Sequence, residues 1–267
     1  MTSISIIIPY FNRENTIARC ITSIRLGANT KIEIIIVDDC SSMPLQQFDN
    51  PLIKVVRLES NVGPIAARSV GAMSAKHDYL MFLDSDDELL PDWHEIFCAQ
   101  IAAAPDCDVY GFPDEKHKNE EVFLIESLDQ YWRWVQCPTR ASDYLITIRM
   151  QAYRNVVMPK VRISEIWYIV QLFEFGLKAH YSNRPLFRYH QDSGNQLSRQ
   201  RFVSLDTSRY TKDSLAYAVK VFNRNAPKMK QLAQDYHKAW FRRLLKEGLL
   251  SLSPVALARL FWGGHGQ

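Results

Sequence analysis

Five short runs rich in Ile and Val constrain the fold of this chain most: Ser3 to Pro9, Ile32 to Asp38, Ile53 to Glu59, Tyr79 to Leu83 and Asp106 to Phe112. Helical periodicity fills the gaps between them. Ile17, Cys20, Ile21 and Ile24 recur at helical spacing before Gly27, a residue suited to a C-terminal cap. A second helix begins near Pro64 and carries Ala66, Ala67, Val70, Gly71 and Met73, small enough to sit close to a sheet, and a third begins at Pro91 and buries Trp93, Ile96, Phe97 and Ile101. Strands alternating with helices predict an α/β fold, a doubly wound and mainly parallel sheet flanked by helices with right-handed crossovers. Such sheets take ligands at the carboxyl ends of their strands.

One of those ends is strongly acidic. The run Tyr79-Leu80-Met81-Phe82-Leu83 stops abruptly in Asp84-Ser85-Asp86-Asp87. Carboxylates this close repel one another unless a cation or an oriented donor compensates, and their hard oxygens favour Mg²⁺, Mn²⁺ or Ca²⁺. A metal that holds phosphates is the pointed reading; a solvated acidic turn, with Asp87 as its outermost member, is the plain one. An EF-hand loop starting at Asp84 fails, because its sixth position requires Gly and holds Leu89.

At 267 residues the chain makes one large domain, or one domain with an appendage, and 47% hydrophobic against 23% charged residues is a globular composition. Cys20, Cys40, Cys98, Cys107 and Cys137 form no C-x-x-C pair, so neither a disulfide framework nor a zinc site is expected and a reducing cytoplasm fits. No signal segment is visible, and no apolar stretch approaches the roughly 20 residues of a membrane span.

Beyond Phe112 the pattern loosens. Asp114 to Glu121 reads as a loop, and Tyr131-Trp132-Arg133-Trp134 fits a substrate-lining loop or a helix covering the sheet equally well. Ser164 can cap a helix from Glu165 to Phe175 that closes at Gly176, and Ala179 to Tyr189 is extended. Residues 199–267 hold 13 Lys and Arg against 4 Asp and Glu; that net +9, within an overall +3, leaves −6 on residues 1–198. From about Ser204 to Gln267 the chain reads as a basic amphipathic helical extension. It suits a helical subdomain packed on the core, or peripheral attachment to the anionic inner face of the cytoplasmic membrane. Its charges are interleaved with apolar faces and form no clean stripe, so no nucleic-acid partner is expected.

Four segments in order, Ser5-Ile6-Ile7-Ile8-Pro9-Tyr10-Phe11-Asn12, Ile34-Ile35-Ile36-Val37-Asp38-Asp39-Cys40-Ser41-Ser42, Asn61-Val62-Gly63-Pro64-Ile65-Ala66-Ala67-Arg68 and Leu83-Asp84-Ser85-Asp86-Asp87, resemble the family 2 glycosyltransferases of GT-A fold. The resemblance is clear over residues 1–112, fainter to 198 and absent from the tail. It implies a GT-A-like domain over 1–203, with a nucleotide-sugar half at about 1–112 and an acceptor half at about 113–203, followed by the 204–267 extension. It assigns nucleotide binding to Pro9, Tyr10, Glu14, Asp39, Arg68, Asp84 and Ser85. Chemically, Tyr10 can stack on a base and Asp39 can accept from a uracil imide or a ribose hydroxyl. By the same resemblance Asp86 and His190 hold Mn²⁺ or Mg²⁺, His190 lying in the segment Arg188-Tyr189-His190.

The catalytic base implied is Glu165. Its neighbour Ile166 departs from the family's E-D pair, which leaves Asp114, Glu115 and Asp192 as alternatives. The implied function is an inverting, metal-dependent hexosyl or N-acetylhexosaminyl transfer in surface polysaccharide biosynthesis. Its donor is a nucleotide sugar, UDP-linked, and its acceptor a glycan or a lipid-linked saccharide. The other reading from the same fold is a catalytically silent nucleotide-sugar or glycan-binding module. A nucleotidyltransferase would need a Gly-rich loop between Ser3 and Gly27, and none is there.

Overall fold

In a computed structural model, which describes residues 2–25, 31–116, 121–135, 144–156 and 165–190, all five expected strands form. The chain runs β1 (Ser3–Tyr10), α1 (Glu14–Ser23), β2 (Lys31–Asp38), β3 (Ile53–Arg57), α2 (Pro64–Ser74), β4 (Tyr79–Phe82), β5 (Glu88–Leu89), α3 (Trp93–Ala103) and β6 (Val109–Pro113). It continues through β7 (Phe123–Ile125), α4 (Leu128–Val135), β8 (Tyr144–Arg149), α5 (Met150–Asn155), α6 (Glu165–Glu174), β9 (Ala179–Tyr181) and β10 (Phe187–Arg188). Gly27, Ser164 and the whole stretch from 191 onward, including the basic extension, lie outside the described residues.

Eight strands make the main sheet in the order β3-β2-β1-β4-β8-β6-β9-β7, and β5 pairs with β10 in a small second sheet. The strands β3, β2, β1 and β4 are parallel, as the alternation predicted. Between β4 and β6 the chain inserts β8, antiparallel to both. That strand carries Leu145, Ile146 and Ile148, a signal overlooked in the loosely patterned region. The sheet is therefore mixed and mostly parallel.

Strand alternation sorts the core onto two faces. Ile7, Ile35, Val37, Leu80 and Phe82 pack with Ile65, Ala67 and Ala72 of α2. Ile4, Ile6, Ile8, Ile34, Ile36 and Met81 pack with Ile17 and Cys20 of α1 and with Trp93, Ile96 and Phe97 of α3. Helix α2 sits so close to β1 that a Cβ on Gly71 would overlap the Ile7 Cγ2. The aromatic segment at 131–134 is a covering helix, not a loop: Tyr131 stacks on Phe173 of α6 at 4.8 Å, and the Trp134 ring lies 4.3 Å from Tyr181 of β9. Among the described residues no helix is long and apolar enough to cross a membrane.

Candidate active site

The site grows from the carboxyl ends of three adjacent parallel strands. Tyr10 stands opposite Asp38 at the ends of β1 and β2, while Phe82 of β4 pairs with Ile7. The chain leaving β4 therefore passes the last residues of β1. Asp38, fully buried, accepts the Ser41 and Leu45 N–H groups at 2.9 and 3.2 Å and the Arg57 guanidinium at 2.5 Å. Burial alone would raise its pKa, but these donors outweigh burial and hold it below the usual carboxylate range.

Asp39 builds the next turn. It is 3% exposed, and its two oxygens accept the N–H groups of Val62 and Gly63 at 2.7 and 2.8 Å. Asn61 adds a bond from its amide to the Asp39 carbonyl at 3.1 Å. Gly63 enters α2 at φ +87°, a conformation glycine adopts without steric cost. Asp39 thus fixes the start of the helix that carries Arg68, and any nucleotide group it meets shares oxygens already engaged with backbone. Arg68, itself 11% exposed, brings Nη2 to 2.5 Å from Oδ1 of Asp84, whose side chain is 46% exposed.

One face of α1 grips the acidic loop along its length. Thr16 Oγ1 donates to the Ser85 carbonyl at 2.9 Å, Arg19 Nη2 to the Asp86 carbonyl at 2.9 Å, and Cys20 Sγ reaches the Asp84 carbonyl at 3.5 Å. Arg13 lies with Nε 3.6 Å from Oδ2 of Asp86, and Arg19 Nε is 3.1 Å from Oε1 of Glu88. The loop closes on a bond from the Asp87 N–H to the Asp84 carbonyl at 3.1 Å. Ser85 is buried and is held through its carbonyl. Asp87 corrects the expectation of an outermost, solvating carboxylate. It is 4% exposed and accepts the His190 N–H at 3.2 Å.

His190 arrives from far along the chain. Pairing of β10 with β5 sets Arg188 opposite Glu88, and His190 Nε2 lies 2.6 Å from the Glu88 carboxylate. The imidazole is thereby fixed beside the acidic loop, next to Glu88.

Tyr10 does not offer the stacking face expected of it. The ring is 1% exposed, packed in the core in phase with Ile4, Ile6 and Ile8. Burial, and after it the charge of Glu14, pushes the phenol up to about 12. The exposed aromatic at this strand end is Phe11, 44% exposed and followed by Asn12 at φ +50°. Tyr10 shares a strand face with Ile4, Ile6 and Ile8, and that face packs with α1 and α3. Pro9 is buried at the end of β1, and Glu14 is exposed as the first residue of α1.

The base candidates separate. Glu165 opens α6 as expected, and its side chain lies outside the described residues. Asp114 is 2% exposed and accepts the Lys116 N–H at 2.7 Å. Glu115 is bound twice by Arg188, at 2.5 and 3.0 Å, which holds its carboxyl below the usual range. Asp192 is outside the described residues.

A divalent cation fits this donor set. Asp84 and Asp86 lie two residues apart, and each already has a guanidinium beside it. Among the described residues no three Asp, Glu, His or Cys side chains converge into a closed cage. Mg²⁺ and Mn²⁺ commonly need no such cage, taking one or two carboxylates and completing their shell with phosphates and water.

Among curated relatives, an uncharacterised glycosyltransferase of Haemophilus influenzae is 38% identical over 123 residues, 45% of this chain and 42% of its own. A succinoglycan biosynthesis protein, ExoO of Rhizobium meliloti, is 30% identical over 93 residues, 33% of this chain and 27% of its own. The chain thus spans less than half the length of either relative. Among solved structures, Staphylococcus aureus TarS in complex with UDP-GlcNAc superposes with a TM-score of 0.62 at 20% identity, covering 83% of this chain and 65% of that one. GalNAc-T7 with UDP, GalNAc and Mn²⁺ gives 0.55 at 20% identity, covering 83% and 48%. These likenesses establish the GT-A fold. The family model for glycosyl transferase family 2 matches residues 5–157, more than half of the chain, including the Asp39 turn and the acidic loop, so the chain belongs to that family.

Proposed function

We propose that the protein is a metal-dependent, inverting glycosyltransferase that moves a hexosyl or N-acetylhexosaminyl group from a UDP-sugar. Its acceptor is a glycan or lipid-linked saccharide in surface polysaccharide biosynthesis. The observation that carries the reading is that Asp39 follows the carboxyl end of β2 and Asp84 and Asp86 that of β4, on either side of β1, with Arg68 of α2 paired to Asp84. Two likenesses support the donor and the pathway: a fold neighbour solved with UDP-GlcNAc and a relative named for succinoglycan biosynthesis.

Mn²⁺ or Mg²⁺, when bound, offsets the negative charge that develops on the departing diphosphate. Asp86 and His190 would hold it, Asp84 would contact the ribose or a metal-bound water, and the phosphates would complete its shell. Phe11 would offer a face for the base, and Arg68, anchored on α2 and paired with Asp84, would supply positive charge for the diphosphate. Glu165 takes the proton of the acceptor hydroxyl as it attacks the anomeric carbon opposite the leaving group. His190, held by Glu88, buttresses the loop and lies within the same constellation. The enzyme works in the cytoplasm, and its basic extension meets the inner face of the membrane where a lipid-linked acceptor is presented.

Calorimetry with UDP, with and without Mn²⁺, tests the donor site in the native protein and in Asp86→Ala. Binding that strengthens with Mn²⁺ only in the native protein is expected; no UDP binding under any condition would remove the donor assignment. A UDP-sugar screen on native protein and Glu165→Gln then separates enzyme from silent module. Turnover must be present in the first and depressed at least about a hundredfold in the second.

A further inference from the structure

Arg13 is out of place by local rules. It occupies the N-cap of α1 with φ −127° and ψ 38° and makes no side-chain capping bond. That position favours Ser, Thr, Asp or Asn, and the helix macrodipole disfavours a cation there. Its Nε instead lies 3.6 Å from Oδ2 of Asp86, both side chains being largely buried at 16% and 14% exposure. The loop cannot retreat from it, because Thr16, Arg19 and Cys20 tether the carbonyls of Ser85, Asp86 and Asp84 to the same helix. The proposed metal ligand is therefore held in place, and the Arg13 side chain beside it is the movable member of the pair.

We infer that Arg13 couples metal binding to diphosphate binding. This rests on the donor site proposed above. Before the nucleotide arrives, the guanidinium neutralises Asp86 and repels a second cation from it, so Mn²⁺ alone binds weakly. When the diphosphate arrives, its charge attracts Arg13, and Asp86 is released to the cation. The two ligands then bind with positive cooperativity, and linkage requires that each raise the other's affinity by the same factor. A local arrangement that costs helix stability is retained at a functional loop, where such exceptions concentrate.

Mn²⁺ binding followed by the electron paramagnetic resonance of free Mn²⁺, without and with saturating UDP, tests this on native protein, Arg13→Gln, Arg13→Lys and Asp86→Asn. Thermal melts check that each variant is folded. In the native protein UDP should tighten Mn²⁺ binding by at least about tenfold. Arg13→Gln should bind Mn²⁺ alone about five- to tenfold more tightly, and the tightening by UDP should shrink by the same factor, leaving the part that the phosphate ligands supply; Arg13→Lys should keep most of the native coupling. Native-like coupling in a folded Arg13→Gln overturns the role of Arg13 and leaves the donor site standing. Failure of the native protein to bind Mn²⁺ in the presence of UDP, or equal binding by Asp86→Asn, overturns both.

Discussion

The two halves of this molecule are built by different rules. Residues 3–113 hold strands and helices largely in alternation, and their proposed ligand-binding carboxylates sit in the short turns leaving β2 and β4. Residues 121–190 contribute short strands that pair out of order. The strand β8 enters the sheet between β4 and β6, β9 and β7 extend it, and β10 crosses to β5. In the first half a motif and its place in the fold are read together, because a parallel strand has one carboxyl end and the turn follows it. In the second half a residue's place depends on a partner far away in the chain, as with His190 and Asp87. The acidic turns of the first half thus follow from their strands, although α1 and the Val62–Gly63 turn brace them from a distance, whereas the second half is placed by its pairing.

That contrast can be broken most directly at Asp86. Asp86→Ala should lower turnover on a UDP-sugar by at least about a hundredfold while moving the melting temperature by no more than a few degrees. A large loss of stability instead would make the acidic loop part of the frame.

Gly111→Ala asks the reverse question at the seam where β6 of the first half meets β9 of the second. The new Cβ would overlap the Tyr181 ring at the seam of β6 and β9, and that ring is wedged between Trp134 and Tyr144. About 1 to 3 kcal/mol should be lost on denaturant unfolding, with UDP affinity preserved below the transition. Weakened UDP binding in the folded variant would show that the halves are more tightly coupled than their construction suggests.

Asp39→Asn leaves the turn at Val62 and Gly63 with one acceptor oxygen in place of two. A loss of about 1 to 2 kcal/mol is expected in denaturant titrations, together with weaker UDP binding, so this position bridges frame and function. The acid limb of stability should report Asp38. Its folded pKa is lowered, so its contribution is fully present above the ordinary carboxylate pKa of about 4 and fades as pH falls through the folded value. Asp38→Asn should flatten that limb in urea midpoints taken from pH 6 down to pH 3. The smallest effect belongs to the second half's surface pair. Glu115→Gln removes the charge that holds exposed Arg188 and should change stability by less than about 1 kcal/mol, by double-mutant cycle with Arg188→Gln.

Much of this protein is legible in one dimension. Near-continuous runs of Ile and Val specify the central parallel strands because β1 and β4 are buried along their whole length, and the helical stretches between the strands bury one stripe each. The acidic run after β4 marks the ligand edge for the same reason. Side-chain direction at that edge was not legible, since both faces of β1 are buried and parity groups Tyr10 with Ile4, Ile6 and Ile8 without saying that the exposed ring is Phe11, just past the strand end. The insertion of β8 was not, since apolar alternation states which face of a strand is buried and never which strand lies beside it. Nor were the two uses of neighbouring carboxylates. Asp38 and Asp39 read as one acidic turn, yet Asp38 is closed by its own loop and Arg57, and Asp39 by a turn more than twenty residues away. Asp87 reads as one more exposed acid and is buried against the backbone of His190. Residue types and their periodicity are local quantities, and they determined the strands, the helices and the acidic edge. Which donor satisfies which carboxylate depends on distances between segments remote in sequence, and only the packed chain decides those.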